Sequence, residues 1–101
     1  MTYKNITVPS TGEPISIKNN ALNVPNKPII TYIEGDGIGI DITPVMLDVV
    51  NTAVEKAYSG EKEIQWMEIY AGEKADSIYG EYLPEETVDA IKRFSVSIKG
   101  P

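Results

Sequence analysis

The sequence contains no cysteine and no histidine. The first absence excludes disulfides and thiolate metal sites. The second removes the commonest general base and the commonest transition-metal ligand, leaving Asp, Glu, Lys, Tyr, Ser and Thr for any chemistry. Basic residues are in the minority: 9 Lys and Arg against 15 Asp and Glu give a formal charge of −6. Such a surface repels phosphate backbones and anionic lipid, so no nucleic acid and no membrane partner is expected. No stretch approaches the ~20 apolar residues that span a bilayer, and the opening Met1-Thr2-Tyr3-Lys4-Asn5-Ile6 lacks the apolar run of an export signal. A soluble, cytoplasmic chain is expected. Internal repeats and low-complexity tracts are missing as well. A hydrophobic share of 42% and a charged share of 24% are ordinary for globular chains, which argues against disorder, and 101 residues suffice for one core.

Residues 1–27 read as a small antiparallel meander: Ile6-Thr7-Val8, Ile15-Ser16-Ile17 and Ala21-Leu22-Asn23-Val24 alternate apolar and polar. Asn19-Asn20 between the last two tolerates the positive φ of a tight hairpin turn, and Pro25 and Pro28 close the meander. Residues 28–101 read differently. Ile29-Ile30-Thr31-Tyr32-Ile33 has the nearly continuous apolar, β-branched pattern of a strand covered on both faces. After a glycine-rich turn, Ile42, Met46, Val50, Ala53, Val54 and Ala57 recur at helical spacing, with Pro44 acceptable in a first turn. Ile64–Ile69 predicts a second strand, Pro84–Arg93 a short helix with acids first and bases last, and Phe94–Ile98 a third strand. Ala71–Tyr82, rich in Gly, Tyr and charge, predicts one helical turn mixed with loop. The order implies an α/β fold with a largely parallel sheet. That sheet is incomplete, because two helices cannot cover both faces of three strands and the meander as well.

Gly35-Asp36-Gly37-Ile38-Gly39 lies where a strand turns into a helix, so its amides could line an anion or nucleotide site. A dinucleotide fingerprint needs a third glycine where Ile40 stands and an acid at the end of the next strand, where Glu55 falls inside a helix. The Rossmann pattern therefore fails. Two readings of the glycines stay open: an anion cradle, or a tight turn that lets strand and helix approach. Glu73 and Lys74 could stand at the ligand edge of the sheet, although such a pair is more often a solvated turn. Trp66 and Met67 fit the core. Glu85, Glu86 and Asp89 fit helix-dipole complementarity and solvation better than a metal cluster. No catalytic set and no metal set assembles from spacing. The chain reaches Lys99-Gly100-Pro101 at the carboxyl end of a strand, where open α/β sheets bind ligands and a binding loop is expected to begin.

Tyr32-Ile33-Glu34-Gly35-Asp36-Gly37-Ile38-Gly39-Ile40-Asp41-Ile42-Thr43-Pro44 resembles the amino-terminal signature of the metal-dependent decarboxylating dehydrogenases that act on isocitrate and isopropylmalate. The resemblance sharpens toward the bacterial NADP-dependent members through Leu22-Asn23-Val24-Pro25, Ala53–Tyr58, Trp66–Lys74 and Ile98–Pro101, and it covers nearly the whole chain. It implies an isopropylmalate dehydrogenase-like fold, not a Rossmann one, with this chain as the first part of the large domain. It also implies the activity of the full-length enzyme in the tricarboxylic acid cycle: isocitrate is oxidised by hydride transfer to NADP with Mg²⁺ or Mn²⁺, then decarboxylated to 2-oxoglutarate. Homodimers are implied for that enzyme only. Two cofactor contacts carry over, Ile38 toward the adenine and Lys99 at the edge of the nicotinamide and substrate pocket; no catalytic or metal residue does. Tyr79-Gly80-Glu81-Tyr82-Leu83-Pro84 looks about two residues shorter than in the family. Three function classes follow: an enzyme portion inactive alone, a nucleotide-binding module, or an interaction remnant.

Overall fold

The computed structural model describes residues 2–101; Met1, at the head of the expected 1–27 segment, lies outside the described residues. Its organising element is strand β4, Pro28–Ile33, and three further strands are β1 (Glu13–Pro14), β5 (Gln65–Glu68) and β6 (Ser97–Lys99). All three pair with β4 in parallel. A strand has only two edges. β5 occupies one edge from Ile29 to Tyr32, so β1 and β6 share the other, β1 at the amino end and β6 at the carboxyl end. A separate antiparallel hairpin joins β2 (Ser16–Lys18) to β3 (Ala21–Asn23).

The hairpin turn forms as its sequence predicts, with Asn19 and Asn20 at φ of 52° and 63°. The three-stranded meander does not form. Residues 6–8 make no strand. Ile6 is buried in the core instead, and the segment's one contribution to the main sheet is Glu13–Pro14, parallel to β4. Pro28 opens β4, and as a first strand residue its missing donor costs nothing.

Alternation along β4 and β5 sends Ile29, Ile33, Met67 and Ile69 into one core with Tyr3, Ile6, Ala90 and Phe94. Helix α3, Glu85–Phe94, meets that core through Thr87, Ala90 and Phe94, three- and four-residue spacing on one face. The expected third strand therefore starts later than Phe94, which is the last residue of α3 and fully buried. Its apolar alternation with Val96 and Ile98 imitates a strand, but the helical spacing from Ala90 governs. The connecting segment resolves into a two-turn helix α2, Glu73–Tyr79, longer than the single turn expected.

Helix α1, Gly39–Tyr58, lies toward the other sheet face, where Asn51 accepts a hydrogen bond from Trp66 Nε1 at 2.9 Å. Its half-buried residues are Met46, Leu47, Val50 and Val54. Ile42, Ala53 and Ala57, expected on the same face, are exposed. A second apolar stripe, Ile38, Ile42, Val45 and Val49, faces away from the sheet. Because the helix starts at Gly39, Pro44 sits in the second turn and not the first. Its missing N–H leaves the Ile40 carbonyl without a helical donor, which is tolerable because Ile40 is exposed to water.

The amino-terminal segment is strapped to α3. Glu86 accepts hydrogen bonds from the backbone N–H groups of Lys4 and Asn5 at 2.8 and 3.0 Å and from the Tyr79 hydroxyl, and Tyr3 donates to Asp89 at 2.7 Å. These acids therefore do more than complement a helix dipole. Burial alone would raise the Glu86 carboxyl pKa, but the Tyr79 hydroxyl and the two amides outweigh it and hold it below the usual value. A depressed carboxyl stabilises the fold above its unfolded pKa and loses that contribution as pH falls through the lowered folded value. Protection factors at Lys4 and Asn5 should consequently fall below about pH 4. Glu86→Gln keeps one acceptor oxygen and turns an amide donor toward the other N–H, so one of the two amides should lose protection at every pH and neither should step with pH; a pH step surviving in that variant would refute the assignment.

Candidate functional site

Parallel pairing of β4 and β6 ends with Ile33 opposite Lys99. Beyond it the backbones stay locked together. Gly100 N–H donates to the Ile33 carbonyl at 2.9 Å, and Asp36 N–H donates to the Pro101 carbonyl at 2.9 Å. The glycine turn and residues 99–101 therefore form one unit at the carboxyl edge of the sheet. Two segments converge on the Glu34 carbonyl, the start of α1 and residues 99–101. A Cβ on Gly39 would lie 2.3 Å from it and one on Gly100 2.2 Å, while Thr43 Oγ1 donates to it at 2.9 Å.

These contacts decide between the two readings of the glycines. Two amides of the turn are spent internally, Asp36 on Pro101 and Gly39 on the Asp36 carbonyl. The Asp36 carboxylate itself lies inside the arrangement, accepting from Glu73 N–H at 2.9 Å. A pyrophosphate would meet a carboxylate where a cradle should offer donors. The turn is a packing device.

Beside it stands a small ionic group. Lys74 Nζ lies 2.6 Å from Glu68 and 3.5 Å from Glu34, and above the Tyr70 ring at 5.6 Å. Its pKa is raised, chiefly by the hydrogen bond to Glu68, with partial burial opposing and the charges of both glutamates adding. Lys74 is thus a latch between α2 and the ends of β4 and β5, at the ligand edge but already partnered. Ile38 lies at the start of α1 with 63% of its surface exposed. Lys99 is exposed at the end of β6, and its Nζ donates to the Gly100 carbonyl at 3.0 Å. The structure puts both residues at the carboxyl edge. Asp36, Glu34 and Glu68 escaped sequence reasoning. Glu34 and Asp36 have one local signal, that they bracket Gly35; Glu68, at the end of β5, has none. A concavity of about 710 Å³ beside Tyr3, Tyr79, Leu83 and Glu86 contains none of the edge residues.

The sequence profile of the isocitrate/isopropylmalate dehydrogenase family matches residues 29–101. This chain belongs to that family. It is 59% identical over 103 aligned positions to an NADP isocitrate dehydrogenase of Coxiella burnetii and 57% identical over 104 to one of Pseudomonas aeruginosa, each alignment covering 100% of this chain. A third, from Aquifex aeolicus, is 53% identical over 95 positions and 93% of this chain. The chain spans about a quarter of the length of these relatives, 24%, 25% and 22% respectively. The family fold agrees with the partial parallel sheet and with the failed Rossmann fingerprint.

The edge offers an exposed apolar side chain at Ile38 and an exposed cation at Lys99. A metal does not fit what is present: among the described residues no three or more Asp, Glu, His or Cys side chains cluster to hold one. No helix among them is long and apolar enough to cross a membrane.

Proposed function

We propose that this chain forms part of the large domain of an NADP-dependent isocitrate dehydrogenase, contributing the cofactor-side edge of its active site. The observation that carries the reading is 59% identity across the full chain to an enzyme of that name, together with exposed Ile38 and Lys99 at the carboxyl edge of the sheet. In this reading the full-length enzyme converts isocitrate to 2-oxoglutarate in the tricarboxylic acid cycle. It works as a cytoplasmic homodimer with Mg²⁺ or Mn²⁺. When bound, NADP supplies the hydride acceptor. Ile38 packs against the adenine side, and Lys99 offers its ammonium to anionic groups at the nicotinamide end. Among the described residues no cluster of Asp, Glu, His or Cys could hold the metal, so by itself this chain should not turn over.

The test is isocitrate-dependent NADPH formation with Mg²⁺, run on the 101-residue chain and on the protein translated from its complete reading frame. Activity in the complete protein with none above background in the shorter chain is the expected result. A complete protein that reduces NADP with isopropylmalate and not with isocitrate would overturn the substrate assignment.

A further inference from the structure

We propose that Asp36 is a positioning residue, whose carboxylate ties the glycine turn to α2 and thereby fixes Ile38 and Lys99–Pro101 for ligand binding. This rests on the dehydrogenase reading above and extends it to a group that touches no ligand.

Asp36 joins its own turn to two stretches of chain that are remote in sequence. Its Oδ1 accepts from Glu73 N–H at 2.9 Å, its N–H donates to the Pro101 carbonyl at 2.9 Å, and its carbonyl accepts from Gly39 N–H at 3.0 Å. The fit around the carboxylate is close. Gly72 has φ of 83°, and a Cβ there would stand 2.6 Å from Asp36 Oδ2, so the side chain lies directly against the backbone at the start of α2. That backbone is itself fixed, because Gly72 N–H donates to the Tyr82 carbonyl at 2.8 Å and Lys74 latches α2 to Glu68 and Glu34. α2 is thus the anchored body and the glycine turn is what it steadies.

Without the carboxylate, the Glu73 N–H loses its acceptor and the turn loses its tie to α2. Movement of the turn passes to Pro101 through the Asp36 N–H and to Ile38 two residues on. Misplacement of groups that bind ligand, with the reacting groups supplied elsewhere, should weaken binding more than it slows the chemical step.

The experiment uses the complete protein as wild type, Asp36→Asn, Asp36→Ala and Glu73→Pro. Asparagine keeps an oxygen for the Glu73 N–H and alanine does not. Proline deletes the donor from the other side, at a first helical position that accepts it. Amide exchange is followed at residues 34–39, 72–75 and 99–100, alongside NADP affinity and steady-state kinetics. In Asp36→Ala and Glu73→Pro, exchange should quicken in 34–39 and 99–100 together. KM for NADP should rise about tenfold with kcat within about twofold, and Asp36→Asn should stay close to wild type. Faster exchange confined to 72–75 with unchanged KM would reduce Asp36 to a helix cap and overturn the proposal. Equal damage from Asn and Ala would overturn it too. If the wild type makes no NADPH from isocitrate, the dehydrogenase reading fails by itself, and the exchange pattern still decides whether the tie exists.

Discussion

Gly100→Ala should destabilise the 101-residue chain by about 3 kcal/mol or more, a larger effect than most surface substitutions can produce. The added Cβ would stand 2.2 Å from the Glu34 carbonyl oxygen, 2.9 Å from its carbon and 3.3 Å from the Ile33 carbonyl oxygen. All three are backbone atoms, so no side chain can swing aside. Nor can the backbones part cheaply, since Gly100 N–H bonds to Ile33 and Thr43 holds the Glu34 carbonyl. Gly37 provides the comparison. At φ of +57° with nothing within 4 Å of its would-be Cβ, it should lose only the left-handed preference, about 1 kcal/mol, on becoming alanine. Guanidinium unfolding of both variants distinguishes contact from conformation. A midpoint for Gly100→Ala as high as for Gly37→Ala would mean that the carboxyl edge is not packed as described.

That contrast also explains what could be read from the sequence. The central strand was legible because Ile29–Ile33 carries its own pattern, and the Asn19-Asn20 turn because its chemistry is local. The glycine turn was legible as a place but not as a device. Its meaning depends on Asp36, Gly72 and Gly100 meeting, and one-dimensional spacing carries no information about that. The face of α1 was ambiguous for a different reason. Ile42, Val45 and Val49 make as good a helical stripe as Met46, Val50 and Val54, and only the sheet selects between them. In the amino-terminal segment, apolar alternation at Ile6 and Val8 was present without a partner strand to satisfy it. β1 and β6 had already taken the free edge of β4. The two proposed contacts, Ile38 and Lys99, came from the family resemblance, because an exposed isoleucine and an exposed lysine have no spacing signature.

Phe94→Ala should be more damaging still. Phe94 is the largest side chain with essentially no exposure, and it lies in the cluster that gathers Tyr3 and Ile6 from the strap, Ile29 and Ile33 from β4, and Met67 and Ile69 from β5 and its end. Truncating a buried Phe to Ala typically costs about 3–5 kcal/mol through lost transfer energy and the cavity left behind. A chain of this size holds only about 5–15 kcal/mol in total, so the variant would retain little stability. Position adds to the effect. Phe94 ends α3, its carbonyl accepts from Val96 N–H at 2.8 Å, and the next residue, Ser95, bonds through its hydroxyl to the Ile15 carbonyl at 3.2 Å. A loosened Phe94 therefore disturbs the short link that delivers β6, and with it Lys99, to the edge of β4. Tyr82→Ala, at a site 63% exposed, should change stability by no more than about 0.5 kcal/mol and serves as the reference. Denaturant midpoints with dye binding to exposed apolar surface measure both. If Phe94→Ala unfolds within about 1 kcal/mol of Tyr82→Ala, the core does not close around Phe94, and the placement of β6 must have another cause.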